Sequence, residues 1–296
     1  KTIAIDLEVQ PGTGNYDNDP WVYESHVVEG TLKLTHLPRL SNMSAKTKDF
    51  VIGTAETITV TKQISTNTHT IRYQIGKASG TIVSNSPETT ISWTPPVSLA
   101  AEIPETTSIH GTIYCDTHYG STMIGTTSMN IVLKIGNTVK PTIDAFTVTA
   151  IDNTVPKDWD LFIRTKSKLQ FKVDASGVYG SKITQYSISG PNIQGKNSTL
   201  DLGPVSFGGK VTFTAEVKDS RGVKSDPKQL TFYIEPYGPP AFTTISMARC
   251  IADGTLSEEG TCALVVPKFT YADCKGNNKL EISCKFVKET TNWKSA

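Results

Sequence analysis

Three features of the sequence predict an all-β fold of tandem immunoglobulin-like β-sandwich domains. Apolar and polar residues alternate with period two along most of the chain, turn residues punctuate the alternating runs, and the chain repeats itself at a spacing near 100 residues.

The alternation is clearest in residues 211–218, where Val211, Phe213, Ala215 and Val217 are apolar and Thr212, Thr214, Glu216 and Lys218 are polar. Successive side chains of a strand point to opposite faces, so such a run puts one face in a core and the other in water. Residues 169–175, 69–75 and 129–135 read the same way, with Val132 the one outward apolar residue in the last. Helical spacing is confined to residues 97–103, enough for about two turns ended by Pro104. The segments Asp219-Ser220-Arg221-Gly222 and His118-Tyr119-Gly120-Ser121 lie between alternating runs as turns. Hairpins with one wet face fit a two-sheet sandwich better than a parallel α/β sheet.

The repeat gives the domain organisation. Pro141-Thr142-Ile143 and Pro240-Ala241-Phe242 open two units 99 residues apart, and the closing runs that begin at Ile131 and Leu230 are separated by the same 99 residues. Boundaries follow near Pro38, Pro141 and Pro240. Residues 1–38 read as the C-terminal strands of a preceding β domain, 39–140 and 141–237 as two complete sandwiches, and 238–296 as part of another. Proline suits short, stiff linkers, and a string of such domains is expected to hinge at Pro38, Pro141 and Pro240. The chain has no initiator Met, opens directly on a strand-like run and stops in mid-pattern at Ala296, the expectation for part of a longer polypeptide.

Composition excludes several classes of partner. The 296 residues are 37% hydrophobic and only 19% charged, with Thr, Ser, Asn and Gly making up the difference. A net charge of +1 gives no attraction to nucleic acid. No run approaches the ~18 apolar residues that would suggest membrane insertion. The five cysteines (Cys115, Cys250, Cys262, Cys274 and Cys284) are irregularly spaced and odd in number, a poor disulfide framework. Free thiols are expected, with Cys115 in the core phase of its strand beside Ile113.

No catalytic signature is present: no nucleophile elbow, zinc-protease helix, phosphate loop or dinucleotide fingerprint. The best metal candidate, His110, Asp116 and His118 with Cys115, fails because Asp116 and His118 share one face while Cys115 points to the other, so the group reads as surface polar residues. Asp253 with Glu258 and Glu259 supplies too few ligands for a calcium loop. The expectation is therefore no catalytic residue, no cofactor and no metal. Trp93 lies in phase with a core. Tyr16, Trp21 and Tyr23 in a polar segment, and Trp159 in a long connection, are the candidates for a binding surface, since exposed aromatics stack on sugar rings or anchor a partner.

The segment Leu34-Thr35-His36-Leu37-Pro38-Arg39 is similar to the LTLPTIPR junction of siphophage tail proteins, with His36-Leu37 where the family more usually has Thr-Ile. Ile52-Gly53, Thr68-His69-Thr70-Ile71-Arg72-Tyr73, Ser79-Gly80-Thr81, Trp93-Thr94-Pro95-Pro96, Gly111-Thr112-Ile113-Tyr114 and Ala248-Arg249-Cys250 continue the likeness in order. Over most of its length the chain thus resembles a family of phage minor structural or tail-fibre proteins of uncharacterised function. The resemblance implies a non-enzymatic virion protein of the phage tail tip or fibre, assembled in the bacterial host cytoplasm, whose partners are other tail proteins. A homo-oligomer, with a trimer favoured, is expected from the symmetry of phage tails. The alternative is a module binding host cell-wall glycan, phage or bacterial; a glycan-cleaving enzyme with its catalytic domain elsewhere is a third class.

Overall fold

The computed structural model describes residues 39–283. The all-β architecture of serial sandwiches expected from the alternation is the one formed. In the first sandwich, β1 (Asn42–Ala45), β3 (Glu56–Thr61) and β6 (Thr90–Trp93) make a three-stranded sheet in the order β1-β3-β6. Facing it is a five-stranded sheet of β2 (Asp49–Val51), β8 (Thr122–Lys134), β7 (Ser108–Tyr119), β4 (Thr68–Ile75) and β5 (Ala78–Ser86), in that order. All neighbours are antiparallel except β2 and β8, where Phe50 pairs in parallel with Leu133.

The second sandwich repeats this plan strand for strand. β9 (Thr142–Ala150), β11 (Leu169–Ser176) and β14 (Thr199–Leu202) form the three-stranded sheet. The five-stranded sheet runs β10 (Phe162–Ile163), β16 (Lys228–Glu235), β15 (Gly209–Asp219), β12 (Ile183–Gly190) and β13 (Ile193–Gly195). Its single parallel pair, β10 with β16, occupies the place of β2 with β8. After it, β17 (Ala241–Cys250) and β18 (Cys262–Thr270) form a two-stranded antiparallel sheet. The helical spacing at 97–103 becomes a 3₁₀ turn, Val97–Glu102, which buries Leu99 and Ala100 and hands Ile103 to the core.

Each core is filled by the inward parity of the strands. Ile71, Ile75, Ile113, Cys115, Ile131 and Leu133 come from the larger sheet of the first sandwich; Ile58, Val60, Ile91 and Trp93 come from the smaller. Trp93 stacks on Tyr73 at 5.2 Å between ring centres and meets Phe50 at 5.8 Å. The second core replaces this indole with phenylalanines: Phe171 stacks on Phe213 at 4.1 Å, and Phe232 packs against both. Side chains as large as these contribute about 1.5–3 kcal/mol each on full burial.

On β4 one fully buried inward position is not apolar. His69 follows the parity of Ile71 and Ile75, is fully buried, and holds Ser41 Oγ at 2.8 Å from its Nε2. Ser41 donates its backbone N–H to Thr117 Oγ1 and accepts from Thr127 Oγ1 at its carbonyl, which ties the entry to β1 onto β7 and β8. Burial pushes the His69 imidazole below its ordinary range, and the positive charge of Lys62 adds to this. The native state therefore prefers neutral His69, whereas the unfolded chain takes up the proton near pH 6.5. This contribution is complete above about pH 6.5 and is lost as pH falls below it. Urea unfolding should give a midpoint that is flat from pH 8 to 7 and declines from pH 6.5 towards 5. His69→Gln should remove that part of the decline, and an unchanged slope in the variant would refute the assignment.

Candidate functional site at the junction of the two sandwiches

Among the described residues, the positions singled out by the sequence do not assemble into one site. Tyr16, Trp21 and Tyr23 lie outside the described residues. Trp159 closes the 3₁₀ turn Lys157–Trp159 and is half-buried against Val155, Ile163 and Cys274. His110 is exposed and Cys115 is fully buried, its thiol pushed up to about 11 chiefly by burial. Asp116 corrects the expectation of a surface residue. It is 6% exposed because Arg72 grips it from the same sheet face, Nε to Oδ2 at 2.6 Å and Nη2 to Oδ1 at 2.9 Å, while Thr126 donates to Oδ1. The Arg72 guanidinium holds this carboxyl below the usual range. Asp253 accepts the Thr255 backbone N–H in a turn, and Glu258 and Glu259 are exposed. Among the described residues no three His, Cys, Asp or Glu side chains converge as a metal site.

The densest polar arrangement lies where the sandwiches meet. Asp219 ends β15 in phase with the core positions Val211, Phe213, Ala215 and Val217. Its Oδ1 accepts the backbone N–H groups of Arg221 and Val223, both at 3.0 Å, which folds the β15–β16 turn back on itself. Gly222 takes φ +83° there, a conformation that disfavours any residue with a Cβ. The turn aims Arg221 out of its own domain. Its Nε donates to the Ile103 carbonyl of the first sandwich at 2.7 Å, Nη1 to Asp219 Oδ2 at 3.1 Å, and Nη2 to the Val178 and Tyr179 carbonyls at 2.7 and 3.1 Å. Both side chains of the ion pair are completely shielded from solvent. Ser220 extends the bridge by donating to the Pro104 carbonyl at 2.5 Å.

Each acceptor in the first sandwich has a local reason to be there. The 3₁₀ turn ends at Ile103, whose buried side chain anchors the segment, and Pro104 cannot continue a helix. The carbonyls of Ile103 and Pro104 are thus left without helical donors and face the second domain. Val178 from the β11–β12 connection packs on the first core. The linker is also fixed: Val139 and Pro141 are buried, and Lys140 reaches Asp226 at 2.6 Å. The hinge expected at Pro141 is therefore replaced by a packed, hydrogen-bonded joint. Beyond the second sandwich, Cys274 seats against Val155 and Ile163, with Trp159 and Tyr237 around it.

The sequence marks residues 219–222 as a turn, whereas the clamp's cross-domain acceptor, 118 positions before Arg221, leaves no local pattern. The available signal was Asp219 itself, a carboxylate in core phase two residues before an arginine. Removing one partner of a buried pair leaves an uncompensated charge, at about 3–5 kcal/mol. Arg221→Ala should fall at the lower end, about 3 kcal/mol by denaturant unfolding, because Asp219 keeps two backbone donors. Arg221→Lys should recover little of it, since an ammonium cannot supply the planar fork. A loss under about 0.5 kcal/mol, the range of ordinary surface substitutions, would show the clamp to be incidental.

Comparison with known proteins places this geometry in a family. No curated protein matches the chain. Among solved structures, the chain is similar to the fibronectin(III)-like modules of Clostridium thermocellum CbhA, with 13% identity, 67% of this chain and 95% of that one covered, and a TM-score of 0.27. It is also similar to a multi-domain fragment of titin, with 11% identity, 66% of each chain covered and a TM-score of 0.29. For the FN1–FN3 domains of chicken CNTN1 the identity is 8%, the coverage 65% of this chain and 63% of that one, and the TM-score 0.22. The chain thus spans slightly less than two thirds of the length of the titin and CNTN1 fragments. A family model described as a siphovirus protein of unknown function, DUF859, matches residues 21–256, which takes in both sandwiches and the joint between them, and the chain belongs to that siphovirus family.

Proposed function

We propose that this segment is a non-enzymatic structural element of the siphovirus tail tip or tail fibre, holding host-attachment parts at a fixed distance and angle. The observation that carries the reading is the buried Arg221 joint, which couples two sandwiches of identical strand order into one continuous body. A spacer must transmit force and orientation across its joints, and a fully satisfied buried charge resists bending more than an exposed linker does. The membership in a siphovirus family supports a place in the virion.

Homo-oligomer contacts follow from the outer sheet faces in the same reading. Thr112 and Asn130 hydrogen-bond across β7 and β8, and Thr212 and Thr231 do so across β15 and β16. Such faces are rich in Thr, Ser, Asn and Gln, and their charges come in both signs, as in the Lys134–Asp49 and Lys224–Glu216 pairs, so copies packed together meet little like-charge repulsion. A trimer with contacts spread over several domains is the proposed form, built in the host cytoplasm with other tail proteins as neighbours. The cell-wall glycan alternative draws no support from Trp159, which is packed rather than presented.

The test is location. Antibodies raised against residues 39–237 and read by immunogold electron microscopy should label the distal end of the tail on intact particles. Label on the capsid, or absence of the protein from purified virions, would overturn the proposal.

A further inference from the structure

We propose that Cys250 and Cys262 are a built disulfide site, closed by a thiol-disulfide oxidant once the protein leaves a reducing compartment. Cys250 is the last residue of β17 and Cys262 the first of β18, and the two stand directly opposite each other in the antiparallel ladder. Opposed residues of such a ladder project to the same face with Cα atoms ~4.5–5.5 Å apart, inside the ~4.4–6.8 Å that a disulfide spans. Both thiols are free in the structure.

The connection between the strands holds the pair in this register. Leu256 bridges back to Cys250, Ser257 donates its N–H to the Arg249 carbonyl, and Ile251 donates to Thr255. Gly260 lies so close to Cys250 that a Cβ there would fall 2.1 Å from the Cys250 carbonyl oxygen. Arg249 Nη1 also donates to the Glu258 carbonyl. The connection therefore folds over Cys250, which is 3% exposed, and leaves Cys262 open to solvent.

This asymmetry sets the order of events. With oxidised glutathione as the oxidant, the exposed Cys262 thiolate attacks one sulfur of the glutathione disulfide, and one glutathione leaves as thiolate and takes up the proton. The Cys250 thiolate then attacks the Cys262 sulfur of the mixed disulfide, and the second glutathione leaves in the same way. Two protein thiols and one oxidised glutathione become one protein disulfide and two glutathione thiols, so atoms and electrons balance. Among the described residues the competing thiols are withdrawn: Cys115 is fully buried with its thiol pushed up to about 11, and burial also raises Cys274 in a separate cluster.

The two-stranded sheet gives the bond a purpose. Every residue of β17 before Cys250 is exposed, including Phe242, Ile245 and Met247, so packing contributes little to holding the strands together. A cross-link at the mouth of the connection restricts its opening in the way a loop-closing disulfide does.

The test uses the whole chain, reduced and then treated with oxidised glutathione. Trypsin cleaves after Arg249 and Lys268, which leaves both cysteines on one peptide. That peptide should appear two hydrogens lighter under non-reducing mass spectrometry, with Cys115 and Cys274 still free. Nicking of the intact protein at Glu258 and Glu259 by a glutamate-specific protease should slow by about 10-fold, within the range of a loop-closing cross-link. Cys250→Ser should instead accumulate glutathione on Cys262. The proposal fails if the wild-type protein keeps the Cys262–glutathione mixed disulfide, or if Cys262 is found bonded to Cys284 or to Cys262 of a second copy.

Discussion

The buried contact between Arg221 and the carbonyl of Ile103 is the constraint on which the rest of the molecule depends. A guanidinium taken out of water is strongly destabilising unless nearly all its donors are used. Here four donor contacts are made, one to a carboxylate, two to carbonyls of its own domain and one across the joint. Separating the domains would strip the Nε donor of its partner and let water into a site arranged around full satisfaction. By contrast, the Lys140–Asp226 pair beside it is exposed, and pairs of that kind contribute about 0–1 kcal/mol.

This geometry explains why the turn is built as it is. Asp219 serves two purposes, folding the turn through its Oδ1 and orienting the guanidinium through its Oδ2. In the first sandwich the corresponding turn at the end of β7 carries no such pair, and Gly120 there has open space around it. The two domains share strand order while differing in their turns, so a common scaffold carries a joint written into one loop.

How much of this was legible in the sequence depends on what kind of force is at work. Hydrophobic burial leaves a periodic trace, so the inward residues 211, 213, 215 and 217, the core position of Trp93 and the burial of Cys115 could be read directly. Polar groups that answer to distant partners leave no period. Asp116 looked like a surface residue because Arg72, its neutralising partner, comes from another strand and is 44 positions away in the chain. Arg221 looked like an ordinary turn residue because its acceptor lies 118 positions earlier. The hinge expected at Pro141 failed for the same reason: a linker can be judged stiff or loose only once the surfaces it joins are known. His69 carries a readable sign, a histidine in core phase, but the Ser41 hydroxyl that meets its Nε2 precedes the first strand of the sandwich.

The central claim is that the two sandwiches move as one body, and residual dipolar couplings of the full chain measure this most directly. Amide couplings from the strands of residues 39–140 and of 141–237 should fit a single alignment tensor, equal in magnitude and orientation for both domains. Two tensors of different magnitude would mean that the domains reorient independently, and the joint described here would not hold them.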